Sequence, residues 1–260
     1  MSPSTVTPLC VADDATFWPW RRWPEFSRWP DPAGTVVVVP LAGTADWGLG
    51  HALDAEETVL MHVLRAASLQ RPASLPLLVV PPLRFVLGPA PGCAFPVTAP
   101  VAHDLVREIL ASIAASGFRR VLLYNSSPWN EEFIAAAARD NRIEHGLQIF
   151  RISLSVLGLD LHPTRSQTRR KVQTLVTALT GHEPEPPPAG GAPPSVRPWG
   201  DESVASLTDP PVPLDQARVE GAMVLAQAAA HLGALVQEIQ ARSPLAHGGV
   251  IPAASFPFAP

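Results

Sequence analysis

The stretch TVVVVPLAGTADWGLGHALDAEE, residues 35–57, decides the architecture. Its first six residues are a valine run bounded by Gly34 and Pro40, the pattern of a strand buried on both faces. A helix-like run follows over 55–69, with Val59, Leu60, Val63 and Leu64 at helical spacing. Between them lies a glycine-rich loop that carries Asp46, His51, Asp54 and Glu56. Strand, polar loop and helix in that order open a parallel βαβ unit. In such sheets ligands sit at the carboxyl ends of the strands. The loop is therefore the first place to look for chemistry, and its acids and histidine are metal-ligand and acid/base residue types.

The same alternation runs outward from this stretch. The pattern predicts strands over 75–80, 120–124 and 148–153, and helices over 101–115, 131–142 and 215–242. Pro81-Pro82 ends the second strand, Gly117 ends the second helix, and Asn130 stands in an N-cap position before Glu131. The expected fold class is α/β, a single layered domain with a mostly parallel β-sheet flanked by helices. A Trp/Pro-rich arm (1–34) precedes the core (35–182). A Pro-rich loop or insertion (183–213), a C-terminal helix of the same core (214–245) and a tail (246–260) complete the chain. Four of the seven tryptophans crowd into the arm, as packing on its own domain or as an interface. The tail, IPAASFPFAP, is too proline-rich for regular structure and offers Phe256 and Phe258 for docking.

Composition narrows the partners. The chain has 260 residues, of which 47% are hydrophobic and 16% charged, which suits a globular domain with a large core. A net charge of −4 without a basic block gives no reason to expect nucleic acid or an anionic membrane surface. Cys10 and Cys93 form no C-x-x-C pair, so free thiols in a reducing cytosol are expected. The first residues lack an apolar signal core, and no apolar run approaches membrane-span length, so a cytoplasmic protein is expected.

Each functional candidate also has a plain structural role. Asp46 suits an Asx-turn in a glycine-rich loop, and His51 suits a loop histidine bonded to backbone. Asp54 and Glu56 precede a helix, where acids complement its dipole. A second polar loop, NSSPWN at 125–130, follows the strand at 120–124. It offers Asn125, Ser126, Ser127, Trp129 and Asn130 at the same sheet edge. No G-x-S-x-G elbow accompanies the serines, so caps for the helix at Glu131 are the simpler reading. Cys93 lies between Gly92 and Ala94 without a basic neighbour, as an inert thiol would.

The segments RRWPEF (21–26), TVVVVPLAGT and the loop after it resemble the opening of the creatininase (creatinine amidohydrolase) family. Those proteins read W-P-E, then a valine-rich strand, then P-x-G-S-x-E-Q-H-G-P-H-L-P-L-x-T-D. The run from Pro81 to Asn130 resembles their P-P-x-x-x-G, F-P-G-T, long helix, G-F, strand and N-G-H-G-G-N. DQARVEGAMVL (215–225) matches their H-A-G-x-x-E-T-S more weakly. The resemblance implies an α/β amidohydrolase fold, a two-metal site and assembly into oligomers, either of one chain or with a related protein.

The resemblance also places substitutions where the ligands belong. Ala45 stands at a glutamate position and Trp47 at a histidine position, while Glu56 keeps a carboxylate at the aspartate position. In the second loop Ser127 stands for a histidine and Trp129 for a glutamate. In the third segment Asp215 stands for a histidine and Glu220 keeps a glutamate. Alanine donates nothing and tryptophan offers only an N–H, so they cannot hold a cation. A hydrolase needs several His, Asp or Glu donors to hold metals and lower the pKa of a bridging water. The expectation is a creatininase-like pseudoenzyme that acts as a non-catalytic binding or structural subunit and needs no cofactor. A first alternative is a divergent hydrolase of a C–N amide bond in a small cyclic amide or formamide. It would use a rebuilt site around Glu56, His51, Glu220 and Asp46, with zinc or manganese. A second is a small-molecule sensor, its ligand lined by Trp47 and Trp129.

Overall fold

The structure, a computed structural model, describes residues 15–186, 204–208 and 210–243. Most of the Pro-rich segment and the tail with Phe256 and Phe258 lie outside the described residues. In chain order the strands are β1 (Val36–Ala42), β2 (Thr44–Ala45), β3 (Leu77–Val79), β4 (Leu83–Arg84), β5 (Cys93–Ala94), β6 (Arg120–Asn125) and β7 (Gln148–Ser153). The helices are α1 (Trp23–Phe26), α2 (Ala55–Gln70), α3 (Ala99–Ala115), α4 (Glu131–His145), α5 (Ser166–Thr180) and α6 (Leu214–Ala241).

The main sheet runs β3-β1-β6-β7, and every pairing in it is parallel. β4 adds to the far end of β1, also in parallel. β2 and β5 form a separate antiparallel pair beside the carboxyl edge. The all-valine reading of β1 holds because both its faces are covered. Val36, Val38 and Ala42 face one core layer, which also takes α2, α5 and α6. Val37, Val39 and Leu41 face the other, beneath α3 and α4.

β1 continues two residues past Pro40, where the sequence reading stopped it. A central strand tolerates proline only where no ladder bond is needed. The carbonyls of Val38 and Ala42 accept from Val80 and Phe85, on the β3/β4 side, whereas Leu41 accepts from Ser126 on the β6 side. Pro40 therefore turns its nitrogen toward the gap between β3 and β4, where Pro81-Pro82 interrupts the partner chain.

The remaining expected elements appear with boundaries shifted by a few residues, and α4 ends at left-handed Gly146. α5 was not expected. Its Val172, Leu175 and Val176 are buried at helical spacing, between polar residues that mask the pattern. α6 packs on α5 and α2 through Ala217, Gly221, Ala228, Leu232, Val236 and Ile239. A Cβ on Gly221 would lie 2.4 Å from Cβ of Ala178, so this helix pair needs glycine at the crossing. By length and composition α6 is also apolar enough to cross a membrane, contrary to the expectation that no run approaches that length. In the described part of the arm, Trp18 and Trp29 lie against Phe118 of the domain, with Phe26 between them, whereas Trp20 and Trp23 are exposed.

Candidate functional site

The carboxyl ends of β1 and β6 carry the two loops singled out in the sequence, and one residue joins them. Glu56, in the first turn of α2, is fully buried. The backbone N–H of Gly43 donates to its Oε2 at 2.8 Å, and the Trp47 indole donates to its Oε1 at 2.8 Å. The Ser126 hydroxyl, from the second loop, lies 2.8 Å from Oε2. Gly43 allows this close approach, since a Cβ would lie 3.0 and 3.2 Å from the two carboxylate oxygens, tighter than ordinary contact. Glu56 was expected to complement the helix dipole; instead it turns inward, and Asp54 at the N-cap makes no side-chain cap bond either.

No cation is among the groups that set the Glu56 proton affinity. Burial pushes its carboxyl above the ordinary carboxylate range, and the bonds from Gly43, Ser126 and Trp47 oppose this only in part. The contacts satisfy both protonation states. The Ser126 hydroxyl also lies 3.2 Å from the Leu41 carbonyl. When Glu56 is ionised, Ser126 donates to it. When Glu56 is protonated, it donates to Ser126, which then donates to Leu41.

The other predicted residues have separate employment. Asp46 makes the expected Asx-turn, accepting from the Gly48 N–H at 2.8 Å. His51 meets the backbone of Gln173, as expected of a loop histidine, and its Nε2 also lies 3.0 Å from Thr177 Oγ1 on α5. Burial lowers its pKa, which favours the neutral ring. Asn130 was expected to cap α4 but makes no side-chain cap bond. Its Nδ2 donates to the Phe85 carbonyl and its Oδ1 accepts from Leu87 N–H, both at 3.0 Å, which fixes the strand after β4 against the second loop. Asn125 holds that loop by donating to the Ser127 carbonyl at 2.7 Å. Ser127 is fully buried, and its hydroxyl has no protein partner and caps nothing. Glu220 accepts from Gln216 at 2.6 Å on an exposed part of α6, and Asp215 pairs with Arg218 there.

Trp129 stacks on Trp47 at a centroid distance of 5.9 Å and 20° between planes, and touches the His162 ring at 5.3 Å. The indole that bonds Glu56 is thus covered on one face by a second ring. Sequence reasoning missed two arginines that anchor the surroundings of the site. Arg169 on α5 is buried and donates to the carbonyls of Trp47 and Ala205. Glu57 pairs with Arg84 in a two-bond fork, at 2.6 and 2.7 Å. Both act across loops of unpredictable course, and no motif marks them. Four buried polar atoms on one segment have no protein partner: Tyr124 Oη, Asn125 Oδ1, Ser127 Oγ and Trp129 Nε1.

Comparison with known proteins gives the class to which this fold belongs. Residues 21–187 match the family model for creatininase, described as creatinine amidohydrolase, and the chain belongs to that family. Among solved structures, a glutamate-to-glutamine mutant of creatininase of Zn-Zn type superposes with a TM-score of 0.64 at 16% identity, over 88% of this chain and 100% of that one. A creatininase described as Mn gives 0.64 at 17% identity, with the same coverage. A mutant creatininase complexed with creatine gives 0.62 at 17% identity. At such identities the likeness is one of fold. No curated protein matches the sequence.

The norm of the family is a metal-dependent amidohydrolase, and the donors present here do not fit that metal. Among the described residues no three His, Cys, Asp or Glu side chains are grouped as metal donors. Of the carboxylates at family positions, Glu56 has both oxygens engaged by protein donors, and Glu220 and Asp215 pair with Gln216 and Arg218 on an exposed part of α6.

Proposed function

We propose that this chain is a non-catalytic member of the creatininase family that acts as a binding or structural subunit in the cytoplasm, assembled with copies of itself or with a related chain. One observation carries the reading: the carboxylate kept in the first loop, Glu56, has both oxygens engaged by Gly43, Trp47 and Ser126. A cation entering there must displace an indole N–H and a hydroxyl and would gain a single protein ligand, well short of a hydrolytic metal site. The alternative of a rebuilt amidohydrolase site has less support, because Asp46, His51, Glu56 and Glu220 each serve a different partner.

Metal content of the purified protein tests the proposal, together with calorimetric titration by zinc and by manganese. The expected result is metal-free protein and no stoichiometric uptake. Near-stoichiometric metal overturns it. A second reading, a small-molecule sensor, has support from the orphaned buried atoms of Tyr124, Asn125, Ser127 and Trp129, since a buried unpaired polar atom costs about 1–3 kcal/mol. A thermal-shift screen of small polar amides and ureas tests it. Stabilisation that is lost in Ser127→Ala supports the sensor, and a flat screen removes it.

A further inference from the structure

A groove lies between α2 and α6 at the amino-terminal end of the sheet. It is half open to solvent and holds about 170 Å³, lined by Leu64, Leu75, Leu77, Leu232 and Val236, with Arg71 and Gln237 as polar neighbours. An apolar cavity of about 150 Å³ holds a benzene molecule, so the space suits one phenyl ring. We propose that the chain's own C-terminal segment docks in this groove and seats a phenylalanine of SFPF, residues 255–258, in the cavity.

The exit point of the chain makes this reachable. Arg120 donates to the carbonyls of Gln240 and Arg242 at 2.7 and 2.8 Å, and Gln148 donates to the Ser243 carbonyl at 2.7 Å. Gln240 donates to the Ser74 carbonyl at 3.1 Å, which ties the last turn of α6 to the rim of the groove. The segment therefore departs from a fixed place. Gly233, in the groove wall, is about 12 Å along the helix from Ala241. The chain from Ser243 to Phe256 can span up to about 43 Å. Gly248-Gly249 supplies the freedom for a reversal.

The chemistry matches as well. Residues 244–260 contain Leu245, Val250, Ile251, Phe256 and Phe258 and no Asp, Glu, Lys or Arg. The groove wall offers close approach, because a Cβ on Gly233 would meet nothing within 4 Å. A tether this short gives the chain's own segment an effective concentration near millimolar, above that of a second copy in dilute solution.

Cross-linking in the full chain tests the proposal. Cysteines are placed by Gly233→Cys and Ala259→Cys in a Cys10→Ser background and oxidised with glutathione disulfide. A control pair uses Gln227→Cys, on an exposed part of α6. The intrachain disulfide of the groove pair is expected at least about 10-fold faster than the control, the ratio that burial of one aromatic side chain sustains. Adding Phe256→Ala and Phe258→Ala abolishes that preference. Equal rates overturn the proposal, and so does a cross-link between chains, which assigns the groove to a second copy. Hydrogen exchange gives an independent reading: amides over 64–71 exchange faster in the double alanine variant of the otherwise native chain. Unchanged exchange there overturns the docking.

Discussion

Replacement of Trp47 by phenylalanine isolates the bond on which the site turns. Phenylalanine keeps an aromatic face toward Trp129 and removes the N–H that meets Glu56 Oε1 at 2.8 Å. Loss of a donor to a charged, buried acceptor costs about 1.5–3 kcal/mol. The smaller ring leaves a void worth about 1–2 kcal/mol more. The expected loss of stability is about 2.5–5 kcal/mol, or a fall in Tm of about 10 °C for a domain of this size.

The pH profile separates the bond from the void. Burial already raises the Glu56 carboxyl above the ordinary range, and the indole is one of the groups that oppose this rise. The folded chain therefore keeps the proton to higher pH than the unfolded chain does. Between the ordinary carboxylate range and the raised value, the folded state binds more protons, so stability falls as pH rises through that window. In Trp47→Phe the window extends to higher pH and the decline is deeper. Denaturant unfolding measured from about pH 4 to pH 8 reads both quantities. A variant within about 0.5 kcal/mol of the parent, with a parallel profile, would refute the reasoning. Glu56→Gln provides the cross-check. Its amide N–H must face either the indole N–H or the Gly43 N–H, and the double variant relieves the first clash. The two penalties should thus combine to less than their sum by about 1 kcal/mol or more.

Three further outcomes follow from contacts around the site. Gly43→Ala forces a methyl against the Glu56 carboxylate and Val86, and should cost about 1–3 kcal/mol in the same unfolding assay. Arg84→Met removes both bonds of the fork to Glu57, whose side chain is only 7% exposed, and the expected cost is about 1–3 kcal/mol. Arg120→Met frees the carbonyls of Gln240 and Arg242, so hydrogen exchange should rise over the last turn of α6 while the amides of β1 stay protected.

The fold was legible where a pattern is local. The valines of β1 announce a strand covered on both faces, and Gly117 and Pro81-Pro82 punctuate the elements. α5 escaped because arginine, lysine and glutamine are interleaved with Val172, Leu175 and Val176. Its burial depends on α6, which is more than thirty residues later in the chain. At the site, the substituted positions Ala45, Trp47 and Ser127 could be read from the resemblance to the family's motifs. The use made of the surviving acid could not. Sequence assigns Glu56 to a helix start, and only the fold brings Ser126 and the Trp47 indole to it from two loops. Arg169 and Arg84 were illegible for the same reason, since their partners lie far off in sequence.

Pro40 has a consequence for how strand register is specified. A central strand could in principle slide one or two residues against its neighbour and still offer valines to both layers. With no N–H at Pro40, and none at Pro81 or Pro82, neither chain can offer a bond across the join between β3 and β4. A shift in either direction would move that gap into one of the two paired segments and leave a buried carbonyl without a donor. The prolines thus act as a key and a slot. They index β4 against β1, and with it the placement of Arg84 opposite Glu57 and of Phe85 and Leu87 opposite Asn130. One imino acid in the valine strand in this way sets the alignment of the loops that surround Glu56.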